Sequence, residues 1–172
     1  MAAKYHLATG KVKEFESSLA SAIASSIAIN QDNSLEHAQI LMSAAELKNM
    51  YGSFREAAEI LIKAQSVLEN GGWMKDEQKA RWAMCKAETL TGQGYYAESI
   101  SLLKENEPFL AARASRQETY VDEKGNLKSR RLSTEEAEQR FKQYASLQNL
   151  IAHAYGEQGN WRVADANFEQ AR

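Results

Sequence analysis

Proline occurs once in this chain, cysteine once, and no long apolar run interrupts its polar residues. Each scarcity closes a door. With only Pro108 to break them, helices can run long between short turns. Cys85 alone cannot close an internal disulfide, so a stapled secreted scaffold is excluded, and a reducing interior, the cytoplasm, is the expected compartment. The N-terminal MAAKYHLATG has no signal-peptide apolar region. The most apolar stretch, Leu19 to Ile29, is studded with serine and too short to span a bilayer, so no membrane partner is expected. Neither sign of charge dominates: 21 Lys and Arg face 23 Asp and Glu, and a net charge of −2 argues against a general nucleic-acid binder.

Chemistry is scarce too. His6, His37 and His153 lie far apart, with no metal-ligand spacing among them. Cys85 stands in ARWAMCKAETL without a nearby histidine, which reads as a buried or groove-lining thiol rather than a nucleophile. The GQG at 92–94 follows a helical pattern, not a strand, so it is no dinucleotide loop. No catalytic group, metal site or cofactor site is expected, and the chain reads as non-enzymatic.

What remains is helix. Helix-forming residues dominate, and the glycines cluster at intervals, a pattern of long helices joined by tight turns. The stretch AHAYGEQGNWRVADANFEQA (152–171) sets the spacing: around Gly159 stand Ala152 seven before, Trp161 two after, then Ala164, Phe168 and Ala171. Gly52 has Ala45, Phe54, Ala57, Leu61 and Ala64 at the same offsets. Gly94 has Ala87, Tyr96, Ser99 and Leu103, and Gly10 has Ala3, Val12, Phe15, Leu19 and Ala22. The interval from Gly10 to Gly52 is 42 residues and recurs from Gly52 to Gly94; from Gly94 to Gly159 it is 65, one period with an insertion of 23. A fixed period marks an array of helical hairpins. Small residues before and after the turn let two helices approach closely, and the larger residue nine after it plugs the gap to the next pair.

The spacing resembles the tetratricopeptide repeat, in the longer variety of kinesin light chains and signalling scaffolds, over most of the chain outside 107–133. Lys48 departs from it where the last unit has Tyr155, and Val12 replaces the aromatic in the first. The resemblance implies an all-α fold: a right-handed α-solenoid of antiparallel helix pairs, forming one domain over residues 1–172. The units are about 1–30, 35–70, 76–107 and 134–172, with an insertion at 108–133. Expected helices span about 2–9, 12–29, 35–50, 54–69, 76–91, 95–106, 108–117, 134–156 and 161–172. Ser53 with Glu56 reads as a capping box, Asn160 as a cap, and Ser133 with Glu136 as a second capping box. The shortened first unit and the end on a second helix lead us to expect a fragment of a larger protein.

The insertion TYVDEKGNLKSR reads as a β-hairpin near 118–131, with its turn around Gly125. Lys124, Lys128, Arg130 and Arg131 make it locally basic: a solvated tip, or a finger that contacts an acidic surface or nucleic acid. Arg130 to Ser133, RRLS, fits the target pattern of basophilic kinases.

In the family the first helix of each pair lines the concave face, where ligand peptides lie. By periodicity the residues facing it are Gln39, Met42, Ser43, Glu46, Asn49 and Met50 in one unit. The next supplies Arg81, Met84, Cys85, Glu88 and Thr91, and the last Ser146, Asn149, Leu150, His153 and Glu157. Glu46 and Glu88 should stack along the groove, with His153 following. Such a face is mildly acidic and carries adaptable methionines, so it suits an apolar peptide or helix bearing a positive charge. The family's carboxylate clamp for chaperone tails needs several cations here, and only Arg81 is one. The leading expectation is a protein-protein interaction scaffold that binds a peptide, a helix or a neighbouring domain of the same parent chain. The alternative is a structural segment of a large multidomain enzyme or regulator, such as the helical scaffold of a phosphatidylinositol-3-kinase-related kinase or the sensory arm of a bacterial regulator. An ordinary wet groove, or one filled by the same chain, accounts for these residues equally well.

Overall fold

A computed structural model describes residues 10–30, 34–114 and 117–172. The described elements are α1 (Val12–Asn30), α2 (Leu35–Met50), α3 (Phe54–Asn70), α4 (Asp76–Gly92), α5 (Tyr96–Arg113), β1 (Gln117–Val121), β2 (Leu127–Arg131), α6 (Thr134–Glu157) and α7 (Trp161–Gln170). The short helix expected near 2–9 lies outside the described residues. Packing divides the chain into two compact units, Met1–Tyr95 and Tyr96–Arg172. Among the described residues, no helix is long and apolar enough to cross a membrane.

One turn design recurs. Gly52, Gly94 and Gly159 have φ of 81°, 85° and 85°, in the left-handed region that costs other residues roughly 1–2 kcal/mol. Each closes its helix with the same pair of bonds. Gly52 N–H donates to the Asn49 carbonyl (2.9 Å) and Ser53 N–H to that of Lys48 (2.9 Å). Gly94 and Tyr95 bond Thr91 and Leu90 likewise, as Gly159 and Asn160 bond Gly156 and Tyr155. This double closure satisfies carbonyls that a helix end otherwise leaves unpaired.

In the first unit α2 is central, touching α1, α3 and α4. The small residues flanking the turn do what their spacing implies: Ala45, Ala57, Leu61 and Ala64 have no exposed surface, so α2 and α3 fold back on one another at close range. Met42, Leu68 and Ala38 complete that core, while Phe15 and Leu19 of α1 seal the other side of α2 against Ala44 and Leu47. Each fully buried Leu or Phe contributes roughly 1.5–3 kcal/mol. His37 is structural: its Nδ1 lies 2.6 Å from Ser26 Oγ, whose hydroxyl is also 2.7 Å from the Ile23 carbonyl. A hydroxyl that spends its one proton on the carbonyl must accept from the ring, so Nδ1 carries hydrogen.

In the second unit α6 packs on both α5 and α7 through Leu103, Leu147, Ile151, Ala152 and Ala164, all buried. β1 and β2 pair antiparallel, with Glu118 opposite Arg130 and Tyr120 opposite Lys128. Their turn is tied by Asp122, whose carboxylate accepts from the backbone N–H of Lys124 and of Asn126, both at 2.9 Å.

Three local expectations need correction. Ser53 and Asn160 start their helices without a side-chain cap. At Ser53 the reason is on view: its N–H already serves the preceding helix, and the Glu56 carboxylate is held by Lys48 at 2.6 Å. Pro108 does not end a helix; α5 runs through it to Arg113. The proline removes a bond only to the Lys104 carbonyl, and both residues sit on the exposed side of the helix, the side on which losing a helix bond costs least. The Ser133 and Glu136 capping box forms in full.

Candidate functional site

The residues expected to line a groove in the first unit lie on α2 and α4, which face each other directly. Between them runs a polar ladder. Arg81 of α4 donates from Nη2 to Ser43 Oγ (3.0 Å) and to Glu46 Oε1 (3.3 Å) on α2. One turn further, the Cys85 thiol donates to the same Glu46 oxygen at 3.3 Å. Asn49 of α2 then reaches back, donating to the Cys85 carbonyl (3.2 Å) and to Glu88 Oε2 (3.4 Å), while Thr89 Oγ1 lies 3.0 Å from Asn49 Oδ1. Helical spacing explains the alternation: 43, 46 and 49 on α2, and 81, 85, 88 and 89 on α4, follow one stripe of each helix.

The ladder sorts the expected residues. Gln39, Ser43, Glu46, Arg81, Met84 and Glu88 are partly open, and Met50 is 71 % exposed. Met42, Asn49 and Cys85 depart from expectation, being at most 5 % exposed. Met42 belongs to the apolar core with α3, and Asn49 and Cys85 are spent on bonds between α2 and α4, so none offers a surface to a ligand. Glu46 and Glu88 are each engaged from the opposite helix rather than free to stack. The Glu46 and Arg81 pair is more than a third exposed on both sides and contributes at most about 1 kcal/mol.

Burial pushes the Cys85 thiol well above its ordinary pKa; Glu46, by charge and hydrogen bond, pushes it further, against a smaller opposing pull from Arg81. A thiol so held stays protonated at neutral pH and is a hydrogen-bond donor, not an attacking thiolate.

In the second unit, Asn149, His153 and Glu157 are exposed on α6 and Leu150 is half-buried. His153 Nε2 lies 3.7 Å from Glu157 Oε1, one turn along the same helix.

The basic insertion is largely neutralised within itself. Arg130 donates to Glu118 (Nε to Oε2, 2.8 Å), which also takes Arg140 (2.7 Å), and Lys128 pairs with Asp122 at 3.0 Å. Hydrogen bonds from Arg140 and Arg130 hold the Glu118 carboxyl below its usual range, and the bond from Asn126 N–H, with Lys128, does the same for Asp122. Lys124 and Arg131 are exposed and form no ion pair among the described residues. Beside Arg131 a cleft of about 400 Å³ opens between the end of β2 and the start of α6, lined by Leu132, Ala137 and Phe141 among others.

Two polar residues of consequence escaped the sequence reading. Lys48, 3 % exposed, is clamped between Glu16 of α1 and Glu56 of α3. Its position, where the last unit has Tyr155, was the available signal: a lysine at an interior position needs acids nearby. Gln148 is fully buried and donates to Glu107 Oε1 (2.7 Å) and the Tyr144 hydroxyl (2.9 Å). Its neighbours Leu147 and Ile151 mark the buried face, but nothing local marks Glu107, 41 residues away, as its partner.

Comparison with family models, with curated proteins and with solved structures gave no match.

Proposed function

We propose that the chain is a non-enzymatic protein-interaction module of the tetratricopeptide type, a right-handed solenoid of helical hairpins that receives a peptide or helix across α2 and α4. The observation that carries this reading is the direct contact of α2 with α4, two helices apart in sequence, through the Arg81, Glu46 and Asn49 ladder. Hairpins stacked side by side present their first helices to one another in that way, and the identical glycine closures at 52, 94 and 159 extend the same unit along the chain. Exposed Met50, half-open Met84 and two carboxylates favour an apolar segment carrying one or two positive charges.

The test uses Glu46→Gln with Glu88→Gln, which keeps acceptors for Arg81, Cys85 and Asn49 and removes only charge. Synthetic amphipathic helices bearing two lysines should lose roughly tenfold in affinity, about 1.4 kcal/mol from two partly exposed pairs, read by fluorescence anisotropy. Neutral helices should be unaffected. Equal binding of lysine-bearing helices to both forms would remove α2 and α4 as the receiving surface.

A second reading, a structural segment within a larger helical enzyme or regulator, draws on Trp161 and Phe168 of α7, which are 68 % and 44 % exposed. Seven residues apart on one helix, the two rings fall on the same face, and a contiguous apolar patch is what marks an interaction surface. On this reading the isolated chain self-associates with concentration in sedimentation, and Trp161→Ala with Phe168→Ala reduces it. A monomer at every concentration leaves the interaction module standing alone.

A further inference from the structure

We propose that Ser133 is a phosphorylation site for a basophilic protein kinase, with Arg130 and Arg131 as the residues the kinase reads. Three observations meet there. The motif Arg130-Arg131-Leu132-Ser133 places two cations three and two residues before a hydroxyl. The backbone is already extended: β2 runs to Arg131 and Ser133 has φ −62° and ψ 159°. Among the described residues β2 pairs only with β1, so no described strand lies on its other edge, and the side chains of Arg130, Arg131 and Ser133 are exposed. An extended segment with an open edge and cations at its rim is the form in which a kinase cleft takes its substrate, the hydroxyl in line with the γ-phosphorus.

In the reaction Ser133 Oγ bonds to the γ-phosphorus of ATP as the bond from that phosphorus to the β,γ-bridging oxygen breaks. ADP leaves, and the hydroxyl proton passes to the kinase's catalytic carboxylate. Ser133 Oγ now donates to Glu136 Oε2 (3.0 Å) and accepts from Glu136 N–H (3.2 Å). A phosphate ester has no proton to donate and brings negative charge against that carboxylate, so the Glu136 side chain is expelled while phosphate oxygens keep its N–H. Arg130, whose Nη2 is already 3.5 Å from Glu136 Oε1, is in place to transfer from Glu118 to the phosphate. Modification thus exchanges a neutral-to-acid cap for a phosphate-to-arginine one at the foot of the hairpin.

Leu132 is the one member of the four that is buried. It must lift from its seat for the kinase, so the folded chain should react about ten- to a hundredfold more slowly than the free segment, the cost of exposing one leucine. The full chain is treated with the catalytic subunit of a basophilic kinase and Mg-ATP, beside the synthetic peptide LKSRRLSTEEA (127–137), and sites are mapped by mass spectrometry. We expect phosphate on Ser133 of the full chain, none there in Ser133→Ala, and at least a tenfold slower rate in Arg131→Ala. Arg131 makes no ion pair among the described residues, so that variant keeps the native circular dichroism spectrum. Phosphate confined to the peptide, phosphate on Ser129 or Thr134 in place of Ser133, or a rate indifferent to Arg131→Ala each overturns the assignment.

Discussion

Lys48→Ala is expected to destabilise the chain by about 3 kcal/mol, at the lower end of the loss seen when one partner of a buried ion pair is removed. Lys48 reaches two carboxylates from different helices: its Nζ lies 2.6 Å from Glu16 Oε2 and 2.6 Å from Glu56 Oε2. The carboxylates are about half exposed, 44 % and 58 %, which keeps the loss from reaching the upper end of the range. The ammonium also sits 5.5 Å from the Phe15 ring centroid, and the Phe15 ring in turn packs at a tilt of 39° against Tyr51. One side chain therefore ties α1 to the α2 and α3 hairpin. Lys48→Met separates the contributions, because it keeps the buried stem and loses only the charge; about half of the alanine effect should remain. Urea unfolding followed by circular dichroism gives both values. Amide exchange should rise through α1 to α3 and stay unchanged in α6 and α7. A Lys48→Ala variant within 0.5 kcal/mol of the parent, the spread of ordinary surface changes, would show that α1 is held by its apolar residues alone.

The pH dependence carries a sign of its own. Burial opposes the charge on Lys48, but the hydrogen bonds to Glu16 and Glu56, with their charges, outweigh it and hold its pKa above the ordinary lysine value. The folded chain then binds this proton more tightly than the unfolded one. Its contribution is full at every pH below the unfolded lysine value and is lost as pH rises through the higher folded value. Stability should fall on the alkaline side more steeply in the parent than in Lys48→Met.

Much of the helical framework could be read in advance because it depends on local rules. A glycine at φ near 85° and an alanine where helices cross are decided within a few residues, so Gly52, Gly159, Ala45 and Ala164 spoke for themselves. The turn around Gly125 did the same. What failed depended on partners far away in sequence. Ser53 and Glu56 have the form of a capping box, but Lys48 takes the glutamate. Asn49 and Cys85 have the periodicity of an open face, and only the arrival of α4 on α2 turns that face inward. Pro108 looked like a helix end because its cost depends on whether the orphaned carbonyl meets water, which sequence does not state. The candidate site was thus legible as a set of positions on two helices and illegible as a set of contacts. The ladder needs the spacing between two stripes that are about 40 residues apart in the chain.

Gly92 and Gly94, two residues apart, should respond to alanine in opposite ways once Phe54 is removed. Gly94 has φ 85° and nothing within 4 Å of where a Cβ would stand, so Gly94→Ala costs roughly 1–2 kcal/mol through its own backbone. That cost should be the same whatever residue 54 is. Gly92 is helical, and its obstacle is a neighbour: a Cβ there would lie 2.3 Å from Phe54 Cε1 and 2.4 Å from Cδ1 and Cζ. Phe54 opens α3 two residues after its turn glycine and lays its ring on the last turn of α4, where only a bare Cα leaves room. Gly92→Ala gains about 1 kcal/mol of helix propensity but must displace an aromatic ring at a cost of about 2–3 kcal/mol. The net effect is a loss of about 1–2 kcal/mol, the difference of those two values. In a Phe54→Ala background the obstacle is gone and the same substitution should stabilise by up to about 1 kcal/mol. The change of sign across the double-mutant cycle reports the ring directly. An identical effect of Gly92→Ala in both backgrounds would mean that the ring moves aside without cost, and that this contact does not fix how α3 meets α4.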